Sequence, residues 1–177
     1  MEIIYLDGAT FQIKGDRTVT VNPPPAMAVD IVLHSVRQKS SKQIVNGPGE
    51  YEIGGVLIAT VEVGPRQAAT LVHGVEVGGV NVVHLGMGEP ELDERAFDAL
   101  GAVDVLLVNA DEPAAAQAAV RNLEPRIVIP FGPKAAELCA ALGVKEPRAE
   151  PRFSWNGLSA APKAVLLKAT RSRKRAA

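Results

Sequence analysis

The sequence predicts an α/β fold in which a layer of helices covers a β-sheet. In the first half of the chain, short β-rich runs follow one another and are separated by glycine and proline turns. In the second half, helical and strand-like segments alternate. The composition agrees with a packed aliphatic core, because hydrophobic residues make up 47% of the 177 residues and aromatic residues only 4%.

The strands of the first half are predicted from apolar runs that lie between turn signals. Asp7-Gly8 ends the first strand, three prolines from Pro23 interrupt regular structure, and Gly78-Gly79 joins the last two strands in a hairpin. Such a succession of hairpins favours antiparallel pairing. The predicted strands cover residues 1–6, 10–14, 18–21, 29–33, 50–53, 56–63, 70–77 and 80–85.

The helices of the second half are predicted from the prolines and glycines at their ends. Pro90 precedes the first helix, Pro113 fits the first turn of the second, and Gly143 ends the third. Buried strands are expected between these helices, and a last strand is expected before the C-terminal tail. The predicted helices cover residues 91–100, 112–123 and 133–142, and the predicted strands cover residues 103–108, 126–130 and 164–169.

Length and cysteine content predict the organisation of the chain. Residues 1–170 suffice for one domain with a substantial core, and residues 171–177 are expected to form a basic, disordered C-terminal tail. The single cysteine, Cys139, excludes an intramolecular disulfide and is expected to be a buried apolar side chain. Glu2 and Asp7 interrupt the first apolar run, and no apolar stretch approaches about 18 residues. These observations predict a cytoplasmic protein without a membrane partner.

Charge is distributed unevenly along the chain. Residues 163–177 hold six basic residues and no acidic one, so the remaining thirteen basic and twenty acidic residues give the body a net charge of −7. The tail could contact nucleic acid or an acidic partner, or it could only solubilise the terminus. Because the acidic body would repel a phosphate backbone, nucleic acid is not expected as a partner. The partner is unknown, and a homo-oligomer is left open.

Several segments of the sequence carry a resemblance to a known family. The most specific is Gly-Pro-Gly-Glu-Tyr-Glu-Ile-Gly-Gly at residues 47–55. On this and the segments given below, the chain resembles the metallo-β-lactamase superfamily, in particular its small zinc-dependent hydrolase-like branch. The resemblance implies a four-layer αββα sandwich with zinc at one edge between the sheets, held by imidazoles and carboxylates. The other matching segments are residues 4–11, 20–23, 28–33, 84–86, 103–108 and 123–130.

The positions that hold metal ligands in that family carry other residues in this chain. Where the family has a His-x-His-x-Asp-His loop, this chain reads His34-Ser35-Val36-Arg37-Gln38-Lys39-Ser40. The first ligand position falls on Ser35 or, with a shift of one, on His34, and the cations that follow would repel a metal ion. A Gly-His, an Asp-Pro, a bridging Asp and a late His of the family are also replaced. The predicted vestigial pocket comprises Gly8, Asn22, His34, Ser35, Arg37, Met87 and Gly132.

These replacements lead to three hypotheses about function. The first is a pseudoenzyme, a non-catalytic binding or scaffold protein that has lost its metal site and uses no zinc or other cofactor. The second is a metal-dependent hydrolase with a relocated or weak site, which would need two or three of His34, His73 and His84 to converge. Structural roles are preferred for these three imidazoles. The third is an interaction module whose basic tail contacts nucleic acid or an acidic partner.

Two polar clusters in the sequence can each be interpreted in two ways. Arg37, Lys39 and Lys42 form a positive loop, which would suit an anionic ligand or would simply be solvated. Asp111 and Glu112 follow a buried strand, and helix capping or a surface turn accounts for them. We therefore predict no catalytic residue and no metal ligand from the sequence.

Overall fold

The computed structural model describes residues 1–25, 27, 29–37, 44–45, 47–65, 68–88, 90–155 and 163–170. Strands dominate its first half, and three helices alternate with strands in its second half. The first-half elements are β1 (Glu2–Asp7), β2 (Thr10–Lys14), β3 (Thr18–Val21), β4 (Ile31–Leu33), β5 (Ile44–Val45), β6 (Gly49–Ile53), β7 (Val56–Val63), β8 (Thr70–Val77) and β9 (Val80–His84). They are followed by α1 (Glu94–Leu100), β10 (Val105–Asn109), α2 (Pro113–Leu123), β11 (Ile127–Phe131), α3 (Ala135–Ala141) and β12 (Phe153–Ser154).

The strands form two mixed six-stranded sheets. Sheet A has the order β12-β1-β2-β3-β4-β5, and sheet B has the order β11-β10-β9-β8-β7-β6. The consecutive strands β1 to β3 and β6 to β9 pair antiparallel, whereas β9, β10 and β11 run parallel. The parallel strands are connected through α1 and α2, as parallel pairing requires a long crossover. The α/β sandwich predicted from the sequence is therefore confirmed.

Two hydrophobic clusters hold the layers together. The first lies between the sheets. Side chains alternate along β2, so Phe11 and Ile13 are buried, whereas Thr10, Gln12 and Lys14 are half-buried. The second lies on the outer face of sheet B, where Leu106 and Val128 pack against helix residues such as Leu138. Among the described residues, all three helices pack against strands of sheet B.

Most predicted elements are present, with shifted ends and one error. The three helices begin one to three residues later than predicted, and the short strands β5 and β12 were not predicted. The predicted strand at residues 164–169 is wrong, because this segment makes only isolated bridges, at Ala164 and at Leu167. It crosses from β11 toward β1, where the amide of Thr170 donates to the carbonyl oxygen of Tyr5. Because its backbone partners change from Val128 to Glu150 and then to Tyr5, the segment forms no continuous ladder with one strand.

Two further predictions from composition can be compared with the structure. Cys139 is a free, fully buried thiol, and burial raises its pKa to about 11, so the predicted apolar role is confirmed. Within the described part of the chain, no helix is long and apolar enough to span a membrane. The predicted basic tail, residues 171–177, lies outside the described residues. The predicted cytoplasmic location stays a prediction.

Candidate functional site

The predicted vestigial pocket maps to one edge of the sandwich. The strands β1, β3 and β4 run in one direction within sheet A, and their carboxyl ends lead into Gly8, Asn22 and His34. In sheet B, the parallel strands β9 and β11 lead into the loops that carry Met87 and Gly132. Hydrogen bonds between the two sheets, given below, show that these strand ends meet at the same edge.

Asn22 holds three chain segments of this edge together. Its backbone has a φ of 51°, a left-handed conformation that asparagine tolerates better than most residues. Its Oδ1 atom accepts from the amide of Ser35 at 2.8 Å, and its Nδ2 group donates to the Ser35 hydroxyl at 2.9 Å and to the Ala9 carbonyl at 3.1 Å. Ser35 is completely buried. Both residues therefore have structural hydrogen bonds where the family would place metal chemistry.

His73 is a buried residue of β8 and contacts the loop after β4. Its Nε2 atom lies 3.0 Å from the carbonyl oxygen of His34, which can only accept, so Nε2 carries the proton. Its Nδ1 atom lies 3.0 Å from the Thr60 hydroxyl and accepts from it. Burial lowers the pKa of His73 to about 4, so the ring is neutral at pH 7.

His84 makes the matching contact at the end of β9. Its Nε2 atom donates to the carbonyl oxygen of Ala9 at 3.1 Å, and its Nδ1 atom accepts from the amide of Gly86 at 2.9 Å. The amide cannot accept a hydrogen bond, so a proton on Nδ1 would have no partner there. Complete burial lowers the pKa of His84 to about 3. The ring also stacks on Phe131 and meets the edge of Phe11.

The two buried imidazoles do not provide metal ligands. His73 and His84 are directly opposite each other on neighbouring strands, yet each ring nitrogen of both is engaged in a hydrogen bond. Zinc needs imidazole lone pairs and usually three or four ligands. No group of three or more His, Cys, Asp or Glu side chains suited to a metal occurs in the part of the chain that the structure describes. These residues do not fit a zinc site.

His34 is the remaining imidazole at this edge. Its side chain is half-buried, and desolvation lowers its pKa. Its carbonyl oxygen receives the bond from His73. The sequence predicts structural roles for all three histidines. The hydrogen bonds of His73 and His84 agree with this prediction. The His34 ring makes no hydrogen bond to the described residues.

Gly132 lies against two side-chain oxygen atoms that the sequence analysis did not place there. With a φ of 94°, it adopts a left-handed conformation, and a Cβ atom added to it would lie 2.7 Å from Asp111 Oδ1 and 2.8 Å from Asn109 Oδ1. Asn109 in turn donates to the carbonyl oxygen of Met87 at 3.0 Å. The space that a histidine at position 132 would need is thus occupied by a local hydrogen-bonded network.

Asp111 and Glu112 differ in what they do at the start of α2. Asp111 accepts from the Asn109 side chain at 3.2 Å, which supports the interpretation as a turn residue. Glu112 occupies the N-cap position but makes no side-chain capping bond, and its carboxylate lies 3.9 Å from the Lys134 ammonium. Of the two alternative interpretations, side-chain capping is therefore not observed at Glu112.

Arg37 is oriented toward a carboxylate of the other sheet. Its Nε and Nη2 groups donate to the two carboxylate oxygens of Glu62 at 2.7 and 3.0 Å, and this pairing raises the pKa of Arg37. Two of its donor groups are therefore engaged. Lys39 and Lys42, the other predicted members of the positive loop, lie outside the described residues.

Sequence reasoning missed Thr60, Thr70 and Asn109 as parts of this edge. Thr70 donates from its hydroxyl to the Ser35 carbonyl at 3.0 Å, and it is also the residue against which Gly86 packs. These residues resemble ordinary strand residues in the sequence, and only the pairing of strands shows their partners. Met87 lies in the loop after β9 and is 56% exposed, and its backbone carbonyl accepts the bond from Asn109.

Comparisons with known proteins agree with this architecture. A family model described as the beta-lactamase superfamily domain matches residues 2–132. A protein from Thermotoga maritima, described as a candidate zn-dependent hydrolase of the metallo-beta-lactamase superfamily, has a TM-score of 0.79 and 21% identity, covering 94% of this chain and 97% of that chain. The metallo-beta-lactamase fold protein YhfI from Bacillus subtilis has a TM-score of 0.59 and 11% identity, covering 97% and 98%. No curated protein sequence matches this chain.

Proposed function

The chain belongs to the beta-lactamase superfamily, and from this membership we propose that it is a non-catalytic member that has lost its metal site and acts as a binding or scaffold protein. The family scaffold is present, with both sheets and the strand ends that form the edge. The side chains of Asn22, Ser35 and Arg37 at that edge are engaged in bonds within the chain. The protein is therefore proposed to act by binding other molecules at its surface, and not by activating a water molecule on a metal ion.

One observation supports the proposal most strongly: the four ring nitrogens of His73 and His84 already have hydrogen-bond partners. Both rings are neutral and donate through Nε2 to a backbone carbonyl. Binding a metal through either ring would break one of these bonds and leave a buried carbonyl, amide or hydroxyl without a partner. Leaving a buried polar group unsatisfied costs about 1–3 kcal/mol. A metal site that used both rings would carry this cost twice.

The other predicted positions support the same proposal. Gly8 and Gly132 have no side chain, Met87 exposes its side chain, and Asn22 is bonded to Ser35. His34 alone could offer a free imidazole, and one imidazole holds zinc poorly without further ligands. Hydrogen bonds also connect the loop after β3 to the loop after β4, and the loop after β4 to β8.

Metal analysis tests this proposal. The chain is purified without chelators, and zinc, manganese and iron are measured per chain together with esterase and phosphodiesterase turnover. We expect less than about one tenth of a metal ion per chain and no turnover above buffer, since zinc requires three or four ligands. Stoichiometric metal with turnover would overturn the proposal and favour the alternative, a metal-dependent hydrolase with a relocated site.

The matched control for that experiment is His34→Gln. It removes the one imidazole without a described hydrogen bond and leaves His73 and His84 in place. If wild type held metal and the variant did not, the metal would be assigned to a relocated site that includes His34. If both held the same metal with activity, the site would lie elsewhere, and the proposal would still be wrong.

A further inference from the structure

A second surface lies on the outer face of sheet B, away from the vestigial pocket. Helix α1 covers only part of this face, and between its C-terminal end and β6 there is an open groove of about 430 Å³. The groove is floored by β6, β7 and β8. We call it the acidic groove, because its charged lining residues are Glu50, Glu52 and Glu76.

The strand register gives the acidic groove a regular pattern. Glu52 pairs with Leu57, and Leu57 pairs with Glu76, so an apolar side chain lies between two carboxylates across three neighbouring strands. Leu57 is 49% exposed, which is unusual for a leucine in a sheet of this protein. In the next row, Glu50 pairs with Ala59 and Ala59 with Gly74, so the floor there is flat.

The three carboxylates have no positive partner within the described part of the chain. None of the ion pairs there includes Glu50, Glu52 or Glu76. Strand β6 is also the last strand of sheet B, and no described residue pairs with its outer side. An edge strand with unpaired backbone groups can accept an additional extended segment.

This arrangement fits an extended segment that is rich in arginine or lysine. The aliphatic stem of such a side chain covers an apolar residue while its charged head remains near water. At the acidic groove, an arginine or lysine side chain whose aliphatic part lies on Leu57 would place its charged group between the carboxylates of Glu52 and Glu76. Arginine suits such sites best, because its guanidinium presents several donors to flanking carboxylates.

We propose that the acidic groove binds residues 171–177 of a second copy of this chain. That segment reads Arg-Ser-Arg-Lys-Arg-Ala-Ala, so it brings four positive charges and no negative one. The rest of the chain, residues 1–162, carries a net charge of −7, and three of its carboxylates line the groove. The charges of the two surfaces are complementary, as required for steering and specific association.

Binding within one chain is disfavoured by distance. Thr170 is bonded to Tyr5 in β1 of sheet A, whereas the groove lies on the outer face of sheet B, on the side turned away from sheet A. The two packed sheets alone are about 10 Å apart, and the tail would also have to pass around sheet B. Seven extended residues reach at most about 24 Å. The tail of one chain therefore reaches the groove of another more readily than its own.

Two complementary variants test this inference. Glu52→Lys/Glu76→Lys keeps the tail and reverses the groove, and a chain that ends after Thr170 keeps the groove and lacks the tail. In sedimentation velocity at about 0.1 M salt, wild type should show at least twice the mass of one chain, and each variant alone should be monomeric. Mixing the two variants should restore a one-to-one pair. At about 1 M salt, where the screening length falls from about 10 Å to about 3 Å, the pair should dissociate.

The matched control is Glu137→Lys/Glu146→Lys, which makes the same change of charge at two exposed residues outside the groove. It should associate like wild type. A monomeric wild type, a groove variant that still associates, or a mixture that fails to pair would each overturn the inference. Tail-dependent binding of a DNA duplex by a monomeric wild type would overturn it in favour of nucleic acid. Metal content does not enter this test, so it stands apart from the proposed function.

Discussion

The Nε2 atom of His84 donates to the carbonyl oxygen of Ala9, 75 positions away in the chain and in the other sheet. His73 makes the same kind of bond to the carbonyl oxygen of His34. Two neutral imidazoles of sheet B thus hold two loops of sheet A at one edge of the sandwich. In this chain they tie the layers together.

The first prediction concerns the pH dependence of stability. The folded chain holds the pKa of His73 at about 4 and that of His84 at about 3, whereas the unfolded chain has an ordinary value of about 6.5. Above pH ~6.5 the rings are neutral in both states. Below it, the unfolded chain takes up protons that the folded chain does not, so stability falls with pH. From pH 7 to pH 5 the free energy of unfolding should drop by about 4 kcal/mol.

Urea denaturation at the two pH values measures this drop. His73→Gln keeps an amide donor near the Nε2 position and cannot titrate, so its loss between pH 7 and pH 5 should be about 2 kcal/mol smaller than that of wild type. Equal pH dependence in wild type and the variant would show that the ring of His73 is not held neutral by burial.

The second prediction concerns Asn22. Asn22→Gly preserves the left-handed backbone and removes the bonds to Ser35 and Ala9, so buried groups lose their partners. We expect a loss of about 2–3 kcal/mol in the free energy of unfolding. Asn22→Ala should lose about 1 kcal/mol more, because alanine is strained at this φ. Thermal or urea unfolding measures both, and an Asn22→Gly chain as stable as wild type would contradict the assigned network.

The third prediction concerns Gly132. Gly132→Ala would place a Cβ atom against the oxygens of Asp111 and Asn109, whereas Gly143→Ala, at a similar φ of 96°, meets nothing within 4 Å. Both share the backbone strain, so their difference isolates the contact. Gly132→Ala should be about 1–3 kcal/mol less stable than Gly143→Ala. If the two unfold alike, the pocket around Gly132 is open enough for a side chain.

The fourth prediction concerns the donor to His73. Thr60→Val has the same shape but removes the hydroxyl that donates to Nδ1, which leaves a buried acceptor unsatisfied. We expect a loss of about 1–3 kcal/mol, and Thr60→Ser, which keeps the hydroxyl, should lose less. Urea unfolding compares the two. Equal losses would indicate that the methyl group, and not the hydrogen bond, is what position 60 contributes.

The hairpins of this fold could be predicted from local sequence patterns. The strands at Thr10–Lys14, Thr18–Val21, Val56–Val63 and Thr70–Val77 have the predicted bounds, since alternation and turns are encoded in neighbouring residues. The strand predicted after Lys163 was wrong, because an apolar run in this segment is typical of a strand. Its hydrogen bonds go to β11, to Glu150 and to Tyr5 in turn, and contacts so distant in sequence leave no local signal.

The sequence indicated which residues follow the strand ends at one edge of the sandwich, but not the hydrogen-bond partners of these residues. The resemblance located Asn22, Ser35 and Gly132 at one edge, where strand ends meet. It could not show that Asn22 bonds to Ser35 or that Asn109 fills the space beside Gly132. Those partners are separated in sequence by 13 and 23 positions, and polar residues on different strands become partners only through the sheet pairing.

We propose that the neutral, Nε2-protonated rings of His73 and His84 bind no metal. Long-range ¹H–¹⁵N NMR of the imidazole nitrogens at pH 7, before and after one equivalent of zinc, tests it directly. We predict two buried rings in the Nε2–H form whose nitrogen signals do not move when zinc is added. Zinc-dependent shifts of either ring, or a proton on Nδ1 of His84, would contradict the account.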